Sequence, residues 1–503
     1  MAPPEPLSPR LQVAIVAAEA VPFAQAGGLG DVIGALPLAL DRLGVDVRVL
    51  IPAHRPVNRV PIEEIGPLEP IAMGAQKQPV SLWQGHLPNS SIPVYLVSNP
   101  AYFDRSGIYT DPVSGEGYPD NLERFAFFCK AVFPALQRVG FAPDVLHAND
   151  SQTALAIVYL QLWYRQSSFF AATGSLYTIH NVAYQEVYPL DRFAATGLPL
   201  ELTRPGGPFE FFGQFNLAKA AISYADVIST VSRQYAREIQ TEEFGYRLEG
   251  VLQQRSSDLY GVLNGCDYGR WNPRTDALIP FRYGPENLAG KARDKEFLQR
   301  KFNLPLTPDV PVVGIISRLA DQKGFDLVLE AIDRILSLPL QMVLLGTGQR
   351  RYQDAFEQIE RRHPDRFGLH LGFNESLAHL IEAGSDLFLM PSRYEPCGLN
   401  QMYSLKYGTV PVVRHTGGLA DTVAEFDPAT GQGNGFKFYL YHSQELVAAL
   451  RRALDAYRDP EVWNRIRLNA MKCDFSWDAS AARYVELYES VRGKRQQVPT
   501  QLR

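Results

Sequence analysis

The sequence predicts an α/β protein of two doubly wound domains, each a parallel sheet covered by helices. Three observations support this fold class. Short apolar runs alternate with longer helical patterns along the whole chain, as in repeated βαβ units. The runs are apolar almost throughout, which is typical of parallel strands buried on both faces. With 503 residues, 46% of them hydrophobic, the chain is also long enough to bury more than one large core.

The first half of the chain carries six predicted strands, at 11–19, 46–52, 92–98, 144–148, 176–180 and 226–232. The first of them is followed by the glycine-rich stretch "AQAGGLGDV" (24–32). Apolar residues at helical spacing then continue as far as Gly44, a natural helix stop. We therefore expect a strand, a glycine-rich loop and a helix in this order.

The second half repeats the pattern, with predicted strands at 310–317, 340–346, 367–373, 386–392 and 409–416. Turn formers concentrate at 261–276, which indicates a domain junction there. No strand follows the last helical pattern, roughly 479–492, so this helix could pack back across the first domain, with a frayed tail from 493 to 503. The predicted domains are 1–262 and 263–478, and 479–503 forms a crossover helix and tail.

Composition limits the class of function. The net charge of −5 and the isoelectric point near 6.0 argue against nucleic acid or an anionic membrane as a partner, because such binding needs clustered Lys and Arg. The four cysteines show no CxxC pair or zinc spacing, which favours a reducing compartment. The start, "MAPPEPLSPR", has the features of neither a signal nor a transit peptide. No apolar run approaches the ~18 residues that a membrane span needs. We expect a cytoplasmic protein.

Ligands of doubly wound sheets bind beyond the carboxyl ends of the strands. In the loop at 24–32, Gly27 and Gly28 allow close approach of backbone, and the helix start offers N–H groups to an anion. The dinucleotide fingerprint GxGxxG fails, since its third position is Ile33. Asp31 lies in the first helical turn, where a carboxylate stabilises the helix dipole. A purely structural turn is the alternative, and the loop contains no Lys or Arg.

Positive charge is available in the second half. Arg318 directly follows the predicted strand at 310–317, and Lys323 comes five residues later, just before a helical pattern. Arginine binds two phosphate oxygens at once, whereas lysine acts as a point charge. Either residue alone could be a solvated surface charge. Together, beside a helix start, they indicate an anion site.

Two further loops of the second half carry candidate groups. Glu395 follows the predicted strand at 386–392 and is a candidate catalytic carboxylate, with a capping or ion-pairing role as the alternative. The stretch "HTGGLADTV" (415–423) repeats the glycine-rich pattern. Its backbone N–H groups, from Thr416 to Leu419, could bind an anion or sugar hydroxyls.

In the first half, polar side chains follow two neighbouring strands. "VLHANDSQT" contains His147 and Asn149, and "YTIHNVAYQ" contains His180 and Asn181. Sugar or phosphate contacts are one interpretation, and satisfied core groups are the other. Neither a Walker A loop nor a nucleophile elbow nor a metal-binding motif occurs in the sequence. The motifs favour transfer from a phosphate-bearing donor without a protein-held metal.

Six motifs, in this order along the chain, resemble those of bacterial glycogen synthase and plant starch synthase. They are "GGLGDV", "HNVAYQ", "GVLNGCDYGRWNP", "SRLADQKGFDLV", "SRYEPCGLNQMYSLKYGT" and "RHTGGLADTV". The resemblance covers residues 11 to 492. It implies the GT-B fold: two Rossmann-like domains that close on a cleft, the first on the acceptor side and the second binding the nucleotide-sugar donor, with the final helix crossing back to the first domain.

The resemblance also implies a reaction, in which glucose passes from ADP-glucose to the non-reducing end of an α-1,4-glucan with retained configuration and without a cofactor. Its implied catalytic residues are Glu395, Arg318, Lys323 and His180. Its implied donor contacts are Gln25, Gly27, Gly28, Asp31, Asn264, Thr416, Gly417, Gly418 and Leu419. The residues expected on the acceptor side are His147, Asn149, Asn181 and Gln185. The choice of ADP over UDP rests on the resemblance alone, and the sequence indicates no oligomeric state.

The chain departs from the family pattern at three places. Gln25 stands where the family has lysine, Ser151 and Gln152 stand where Trp-His is common, and Glu186 stands where glycine is usual. All lie in the acceptor-side domain, whereas the donor-side motifs are intact. The alternative to an active synthase is therefore a catalytically weak paralogue that binds glucan or nucleotide sugar as a scaffold or primer partner. A glucosyltransferase with another acceptor is a third interpretation.

Overall fold

The computed structural model describes residues 10–55 and 60–496, which form two units. Unit 1 consists of the described residues up to Val231, residues Ala236–Gly265, and the chain from Trp477 onward. Unit 2 consists of Ser232–Tyr235 and Cys266–Ser476. The expected α/β class is confirmed, since each unit is built on a sheet of mainly or wholly parallel strands with helices between them.

Unit 1 contains a nine-stranded sheet and two small antiparallel sheets. Its strands are β1 (Gln12–Val16), β2 (Asp46–Pro52), β3 (Glu63–Pro67), β4 (Ile71–Met73), β5 (Gln76–Gln78), β6 (Ser81–His86), β7 (Pro93–Ser98), β8 (Val145–Asn149), β9 (Gly174–Ile179), β10 (Val187–Pro189), β11 (Glu210–Phe211), β12 (Gln214–Asn216), β13 (Val227–Thr230) and β14 (Leu259–Gly261). Every strand expected from the sequence in this half is present.

The first seven helices begin with α1 (Gly28–Arg42), which follows the glycine-rich loop as expected. The others are α2 (Pro100–Phe103), α3 (Asn121–Arg138), α4 (Ala154–Leu162), α5 (Leu217–Tyr224), α6 (Arg233–Glu238) and α7 (Glu249–Gln254). The long helix α3 buries nearly all of its apolar side chains. Helix packing of this kind explains why the strands behind it are apolar on both faces.

The large sheet of unit 1 has the order β14-β13-β9-β8-β1-β2-β7-β6-β3. Strands β1 and β8 are parallel neighbours, with Ile15 beside His147. The chain moves outward from β1 to β2 and β7, then returns to β8 on the other side of β1. This reversal is the topological switch point, where doubly wound sheets bind ligands. The glycine-rich loop and the residues after Asn149 therefore leave the sheet at the same place.

Unit 2 contains one six-stranded parallel sheet of order β17-β16-β15-β18-β19-β20. Its strands are β15 (Val312–Leu319), β16 (Gln341–Gly348), β17 (Phe367–Leu371), β18 (Leu387–Met390), β19 (Val410–Arg414) and β20 (Phe436–Phe438). Its helices are α8 (Ala289–Lys301), α9 (Phe325–Leu336), α10 (Arg350–Arg362), α11 (Glu375–Gly384), α12 (Asn400–Tyr407), α13 (Gly417–Thr422), α14 (Ser443–Tyr457) and α15 (Pro460–Met471). The switch point lies between β15 and β18.

The last helix, α16 (Trp477–Gln496), belongs to unit 1, as expected for a crossover helix. Arg42 at the end of α1 pairs with Asp478 through a 2.5 Å salt bridge, and Tyr488 reaches into the core of the sheet. The helix continues through residues 493–496, where a frayed tail was predicted. The remaining residues of that predicted tail, 497–503, lie outside the described part of the chain, as do residues 1–9 of the predicted start.

Several strands were not expected from the sequence. The edge strand β3, its neighbour β6 and the hairpin β4–β5 are antiparallel and short, and they mix polar with apolar residues. The sheet formed by β10, β11 and β12 inserts between β9 and α5. Strands of two to six residues with one exposed face show neither the long apolar run nor the helical period that revealed the central strands.

Candidate active site

An ion pair occupies the switch point of unit 2. The Nζ atom of Lys323 lies 2.6 Å from Oε2 of Glu395, and the hydroxyl of Ser392 donates to the same oxygen at 3.0 Å. Glu395 is buried, while the Lys323 side chain keeps 20% of its surface exposed. The structure thus brings together two of the residues expected to be catalytic, one from each of the loops that follow β15 and β18.

The turn that carries Lys323 is fixed against the loop that carries Glu395. Gly324 has φ +75°, and a Cβ atom on it would lie 2.0 Å from the carbonyl oxygen of Pro391. The amide of Arg393 donates to the carbonyl of Gln322 at 2.8 Å. Only glycine at 324 permits both this backbone conformation and this close approach. The approach of the two loops positions the lysine beside the carboxylate.

We expect Gly324→Ala to destabilise the protein and lower its activity together. Alanine must adopt the left-handed region and push the Pro391 backbone away, a strain that costs more than the ~1 kcal/mol by which Gly→Ala can stabilise compatible sites. Thermal unfolding and the rate of the reaction that the sequence resemblance implies check this result. Gly372→Ala is a matched control, since Gly372 also has positive φ but would meet no atom within 4 Å. Equal unfolding temperatures for the two variants would contradict the proposed role of the close approach.

The glycine-rich loop of unit 2, at 415–423, packs against the backbone of the loop that carries Glu395. Cβ atoms on Gly417 and Gly418 would lie 1.9 Å from the carbonyl oxygens of Glu395 and Cys397. The amide of Gly418 donates to the carbonyls of Glu395 and Pro396, both at 3.1 Å. The two glycines therefore allow one loop to lie directly on the other. This contact sets the backbone position of Glu395.

The hydrogen bonds of this loop's backbone amides differ from those predicted from the sequence. Gly418 N–H is engaged as described above, and Leu419 N–H donates to the carbonyl of Thr416 at 3.1 Å. Thr416, Gly418 and Leu419 are buried. The amides of Gly418 and Leu419, which were expected to face a ligand, are thus already paired within unit 2. The reason is the close stacking of two backbones, which sequence spacing does not reveal.

Arg318 is an exposed cation at the carboxyl end of the unit 2 sheet. It is the penultimate residue of β15, beside Thr347 of β16, and its side chain is exposed. No salt bridge involving Arg318 is formed within residues 10–55 and 60–496. An exposed guanidinium near the paired Lys323 gives the carboxyl edge of the sheet a donor that is available to an anionic ligand.

An exposed aromatic ring lies at the same edge. Phe373 follows β17 and is 89% exposed, between Gly372, at φ +132°, and Asn374, whose side chain caps α11 at 2.9 Å. The sequence analysis did not identify it. A sequence signal was available: Phe373 is the last residue of the predicted strand at 367–373 and precedes Asn374, a residue type that often caps a helix. An aromatic residue in such a turn has no core to enter and is therefore exposed.

The glycine-rich loop of unit 1 binds an anion of its own chain. Oε2 of Glu19 accepts from the amides of Ala26 at 2.5 Å and Gly27 at 3.0 Å. Its Oε1 accepts from the hydroxyl of Tyr109 at 2.8 Å. Glu19 is buried, and burial raises the pKa of its carboxyl. The amide of Gly27, which was expected to bind donor phosphate, is therefore paired with the carboxylate of Glu19, the last residue of the predicted strand at 11–19.

Gln25 and Asp31 lie side by side at the surface of this loop. Nε2 of Gln25 donates to Oδ2 of Asp31 at 3.1 Å, and both residues are exposed. A Cβ atom on Gly28 would meet nothing within 4 Å, so the first turn of α1 remains open. Three of the predicted donor contacts therefore share one accessible surface, and the Gln25 amide already faces a carboxylate.

At the exits of β8 and β9, three polar residues are joined. Nε2 of His180 lies 3.0 Å from Oδ1 of Asn149, and the amide of His180 donates to Oδ1 of Asp150 at 2.8 Å. Burial lowers the pKa of His180 to about 4 and raises that of Asp150 to about 7. His180 is thus neutral at pH 7 and acts as a hydrogen-bonding group rather than a cation.

Three of the four predicted acceptor-side residues lie in the interior: Asn149, described above, His147 and Gln185. His147 is fully buried, with its ring nitrogens 2.9 Å from the hydroxyl of Tyr488 and 2.7 Å from that of Thr178. Gln185 is also buried and makes its hydrogen bonds to Val182, Tyr246 and Asn216. These satisfied groups correspond to the core interpretation, because strand β8 is central in the sheet and carries His147 inward.

The two remaining predicted residues of unit 1 are the half-buried Asn181 and the buried Asn264. Oδ1 of Asn181 accepts from the amide of Ala183 at 3.1 Å and so closes a turn. Asn264 is buried, and its Oδ1 has no hydrogen-bond partner within the described ranges. A buried amide oxygen without a donor is costly, which marks Asn264 as a position where a bound molecule could donate.

Two of the three departures from the family pattern, at 151–152 and at 186, lie close together, whereas Gln25 bonds to Asp31 in the glycine-rich loop. Nε2 of Gln152 donates to Oε1 of Glu186 at 2.9 Å, and the hydroxyl of Tyr188 donates to its Oε2. Ser151 donates through its hydroxyl to the carbonyl of Tyr184 at 3.0 Å. Glu186 and Asp150 both have positive φ, +54° and +60°. Gln152 and Glu186 are thus joined directly, and Ser151 bonds to the backbone two residues before Glu186.

Across the described residues, no three or more His, Cys, Asp or Glu side chains are grouped in a way that could hold a metal ion. Over the same ranges, no helix has the length and apolar character needed to cross a membrane.

Comparison with known proteins relates the chain to one group of enzymes. Residues 12–254 match the family model described as the starch synthase catalytic domain, and residues 295–470 match glycosyl transferases group 1. A glycogen synthase of Desulforudis audaxviator is 45% identical over 96% of this chain and 97% of its own length. A glycogen synthase of Thermotoga maritima is 43% identical over 96% of this chain and 99% of its own length.

Solved structures agree with these relatives. The catalytic domain of starch synthase IV from Arabidopsis thaliana, bound to ADP and acarbose, superposes with a TM-score of 0.86 at 34% identity, over 96% of this chain and all of that one. A sucrose-phosphate synthase from Thermosynechococcus elongatus superposes with a TM-score of 0.59 at 17% identity, over 96% of this chain and all of that one. The second similarity concerns the fold alone.

Proposed function

Because the chain belongs to the glycogen and starch synthase family of glucosyltransferases, we propose that its donor is ADP-glucose and that its acceptor is the non-reducing end of an α-1,4-glucan. The observation that carries this proposal is the Lys323–Glu395 pair at the switch point of unit 2, 2.6 Å apart, with the exposed Arg318 on the adjoining strand. Two cations beside one buried carboxylate suit a sugar joined to a diphosphate, because the phosphates need positive charge and the sugar needs a hydrogen-bond acceptor.

In the proposed reaction, Arg318 and Lys323 bind the diphosphate and stabilise the charge that grows on it as it leaves. The bond from the glucose C1 atom to the phosphate oxygen breaks, and its electron pair goes to ADP. A new bond forms from C1 to the acceptor hydroxyl, whose proton passes to the departing diphosphate oxygen on the same face. Glu395 accepts hydrogen bonds from the transferred glucose and balances the developing positive charge. The configuration at C1 is retained.

Phe373 is the proposed platform for the nucleotide base. Its ring is exposed at the carboxyl end of β17, on the same edge as Arg318. Stacking of a base on an aromatic side chain contributes about 1–3 kcal/mol. The larger purine covers more of the ring than a pyrimidine does, which supports ADP-glucose over UDP-glucose. The ADP bound to the Arabidopsis starch synthase supports the same choice.

No metal or other cofactor is part of the proposal, because Arg318 and Lys323 supply the positive charge that a metal ion would otherwise provide. We also propose a cytoplasmic location. All four cysteines, Cys129, Cys266, Cys397 and Cys473, are free thiols in the structure, which suits a reducing compartment. His180, neutral at pH 7, is proposed to form a hydrogen bond to the sugar together with Asn181 on the acceptor side, while the buried Asn149 orients the His180 ring.

The scaffold alternative is not favoured, since the curated relatives at 42% to 46% identity over nearly their whole length are glycogen synthases. The test is incorporation of labelled glucose into glycogen from ADP-glucose and from UDP-glucose, measured at equal concentrations. We expect a higher kcat/KM with ADP-glucose. Equal or higher efficiency with UDP-glucose would overturn the donor assignment, and binding of the donor without incorporation would favour the scaffold.

Gln25→Lys tests the expectation, implied by the resemblance, that the glycine-rich loop of unit 1 contacts donor phosphate. A hydrogen bond to a charged group contributes about 1.5–3 kcal/mol against ~0.5–1.5 for a neutral one. The difference, roughly 1–1.5 kcal/mol, corresponds to about a tenfold change. Because Gln25 is exposed, lysine fits without repacking, and we expect kcat/KM for ADP-glucose to rise several-fold to about tenfold. Gln25→Met, measured at the same ionic strength, controls for side-chain length. An unchanged or lower value in the lysine variant would contradict the proposal.

A further inference from the structure

The short segment Ser232–Tyr235, at the start of α6, contacts the loop that carries Glu395. These four residues follow the last strand of the first half of the chain, yet they belong to unit 2. Ser232 is the final residue of the predicted strand at 226–232, and no motif of the sequence points to a role for it. In the structure β13 ends at Thr230, and Ser232 is completely buried. It is a buried polar side chain that the proposed mechanism does not use.

The Ser232 hydroxyl makes two hydrogen bonds. It donates to the carbonyl oxygen of Pro396 at 2.7 Å and accepts from the amide of Tyr235 at 3.1 Å. Because a hydroxyl has one proton to donate and lone pairs with which to accept, both bonds form at once. The bond from Tyr235 is the N-cap of α6, a role for which serine is favoured. The bond to Pro396 joins the start of α6 to the loop that carries Glu395.

The carbonyl of Pro396 is a fixed point of this loop. Besides the Ser232 hydroxyl, it accepts from the amide of Gly418 at 3.1 Å, so both of its lone pairs are used. The proline ring fixes φ of Pro396, and few backbone rotations therefore separate this carbonyl from the Cα atom of Glu395. Gly418 itself lies directly on the loop, since a Cβ atom on it would be 1.9 Å from the carbonyl of Cys397. A shift of the Pro396 carbonyl would thus displace the main chain at Glu395.

A second hydrogen bond joins the same segment to the neighbouring loop. The amide of Gln234, in the first turn of α6, donates to Oδ2 of Asp421 at 3.0 Å. Asp421 lies on α13, the helix that begins in the glycine-rich loop of unit 2. The segment 232–235 therefore bonds to both of the loops that set the backbone of Glu395, once through Pro396 and once through α13.

Glu395 is thus held at two points. Lys323 and Ser392 hold its carboxylate, whereas the contacts of Pro396 hold its main chain. A catalytic group must be kept within about 0.5 Å of its productive position, and a misplacement of about 1 Å costs about 100-fold in rate. We propose that Ser232 is a positioning residue for glucose transfer, which fixes the backbone from which Glu395 meets the transferred sugar. This inference rests on the proposed function.

The test compares Ser232→Gly with Ser232→Thr in glucose transfer from ADP-glucose to glycogen. Glycine is tolerated at N-cap positions at small cost, so Ser232→Gly removes the bond to Pro396 while α6 still forms. We expect kcat to fall by about three- to tenfold, the effect of one lost hydrogen bond. KM for ADP-glucose should stay unchanged, because Arg318 and Lys323 bind the diphosphate. Ser232→Thr keeps the hydroxyl and should retain kcat, although its extra methyl group in a buried site lowers the unfolding temperature.

Asp459→Gly is the matched control. Asp459 is exposed and caps α15 of unit 2 by accepting from the amides of Glu461 and Val462, at 3.0 and 3.2 Å. The change removes the side chain of a helix cap without touching the Glu395 loop, so kcat should stay unchanged. A wild-type kcat in Ser232→Gly would overturn the proposal. So would a Ser232→Thr variant as slow as the glycine variant, or equal losses of kcat in Ser232→Gly and Asp459→Gly.

The thiol of Cys397 gives a second measurement that needs no activity. Cys397 directly follows Pro396 and is buried, so its alkylation by iodoacetamide requires the loop to open. We expect Ser232→Gly to raise the rate of this alkylation, located by peptide mass spectrometry, by about three- to tenfold, and Asp459→Gly to leave it unchanged. Equal rates in the wild-type protein and Ser232→Gly would overturn the proposal. If the wild-type protein transferred no glucose, the proposed function would fail, while the alkylation rates would still show whether Ser232 holds the loop.

Discussion

Lys323→Ala is expected to lower kcat for glucose transfer by about 100- to 1000-fold, the effect of removing one donor from a charge-stabilising site. Lys323 has two roles in the proposed mechanism. It neutralises the leaving diphosphate, and it holds Glu395 through their 2.6 Å contact. Measurement of kcat with saturating ADP-glucose and glycogen checks this result. A variant that keeps near-normal turnover would show that the diphosphate lies elsewhere.

Arg318→Ala is the matched comparison, because Arg318 is exposed on the same edge and leaves the Lys323–Glu395 pair intact. We expect a similar loss of kcat with no loss of stability. Lys323→Ala should also lower the free energy of unfolding by about 1–3 kcal/mol, less than the ~3–5 kcal/mol for a fully buried pair because its side chain is 20% exposed. Thermal unfolding of both variants separates the catalytic from the structural contribution.

Glu395→Ala is the second change for which we expect a large loss of kcat, comparable with that of Lys323→Ala. The carboxylate is buried beside Lys323 and Ser392, so its removal takes away the sugar-side acceptor and leaves the lysine without its partner. Glu395→Gln keeps the shape and isolates the charge. We expect it to retain more stability than Glu395→Ala but to remain far slower than the wild-type enzyme.

The same residue tests the stereochemical course. In the proposed reaction Glu395 forms no bond to glucose, since attack and departure occur on one face of C1. A double displacement would instead need a carboxylate nucleophile and a covalent glucosyl intermediate. Mass spectrometry of enzyme quenched during turnover should therefore show the unmodified chain mass. A glucosyl adduct on Glu395 would contradict the mechanism, whatever the kinetic effect of the substitutions.

The central strands of both sheets could be predicted from the sequence because a strand buried on both faces must be apolar almost throughout. "VPVVGIIS" and "LQMVLLG" are examples that became β15 and β16. Edge elements obey weaker constraints. β3, "EEIGP", has one exposed face and contains polar residues. β11 and β12 are joined by a hairpin turn that contains Phe212, a residue type that this turn disfavours. Such strands are fixed by tertiary contacts that no local pattern contains.

Part of the candidate site could also be predicted, because it depends on the positions of the central strands. The carboxyl ends of parallel strands converge, so the positions of Arg318, Lys323 and Glu395 after two predicted strands were enough to expect them at one edge. What spacing could not show is which polar groups are already paired. The carboxylate of Glu19 binds the amides of its own glycine-rich loop, and the amide of Gly418 binds the backbone of the Glu395 loop. Hydrogen bonds between segments distant in sequence settle such questions.

The departures from the family pattern illustrate the same point. In the sequence, Gln152 and Glu186 are separate substitutions, each of which weakens the case for activity. In the structure their side chains are joined by a 2.9 Å hydrogen bond. A carboxylate and an amide that satisfy each other need not disturb the surroundings, since neither is left unpaired. The altered surface is thus compatible with an active enzyme.

The most direct test of the central proposal, that unit 2 binds ADP-glucose at the Lys323–Glu395 edge for transfer to a glucan, is proton NMR of the reaction of ADP-glucose with a short maltooligosaccharide. The wild-type protein should release ADP and add glucose units through α-1,4 bonds, seen as new α-anomeric signals, while Lys323→Ala should form almost none. A β-anomeric product, or ADP-glucose that binds but is never transferred, would contradict it.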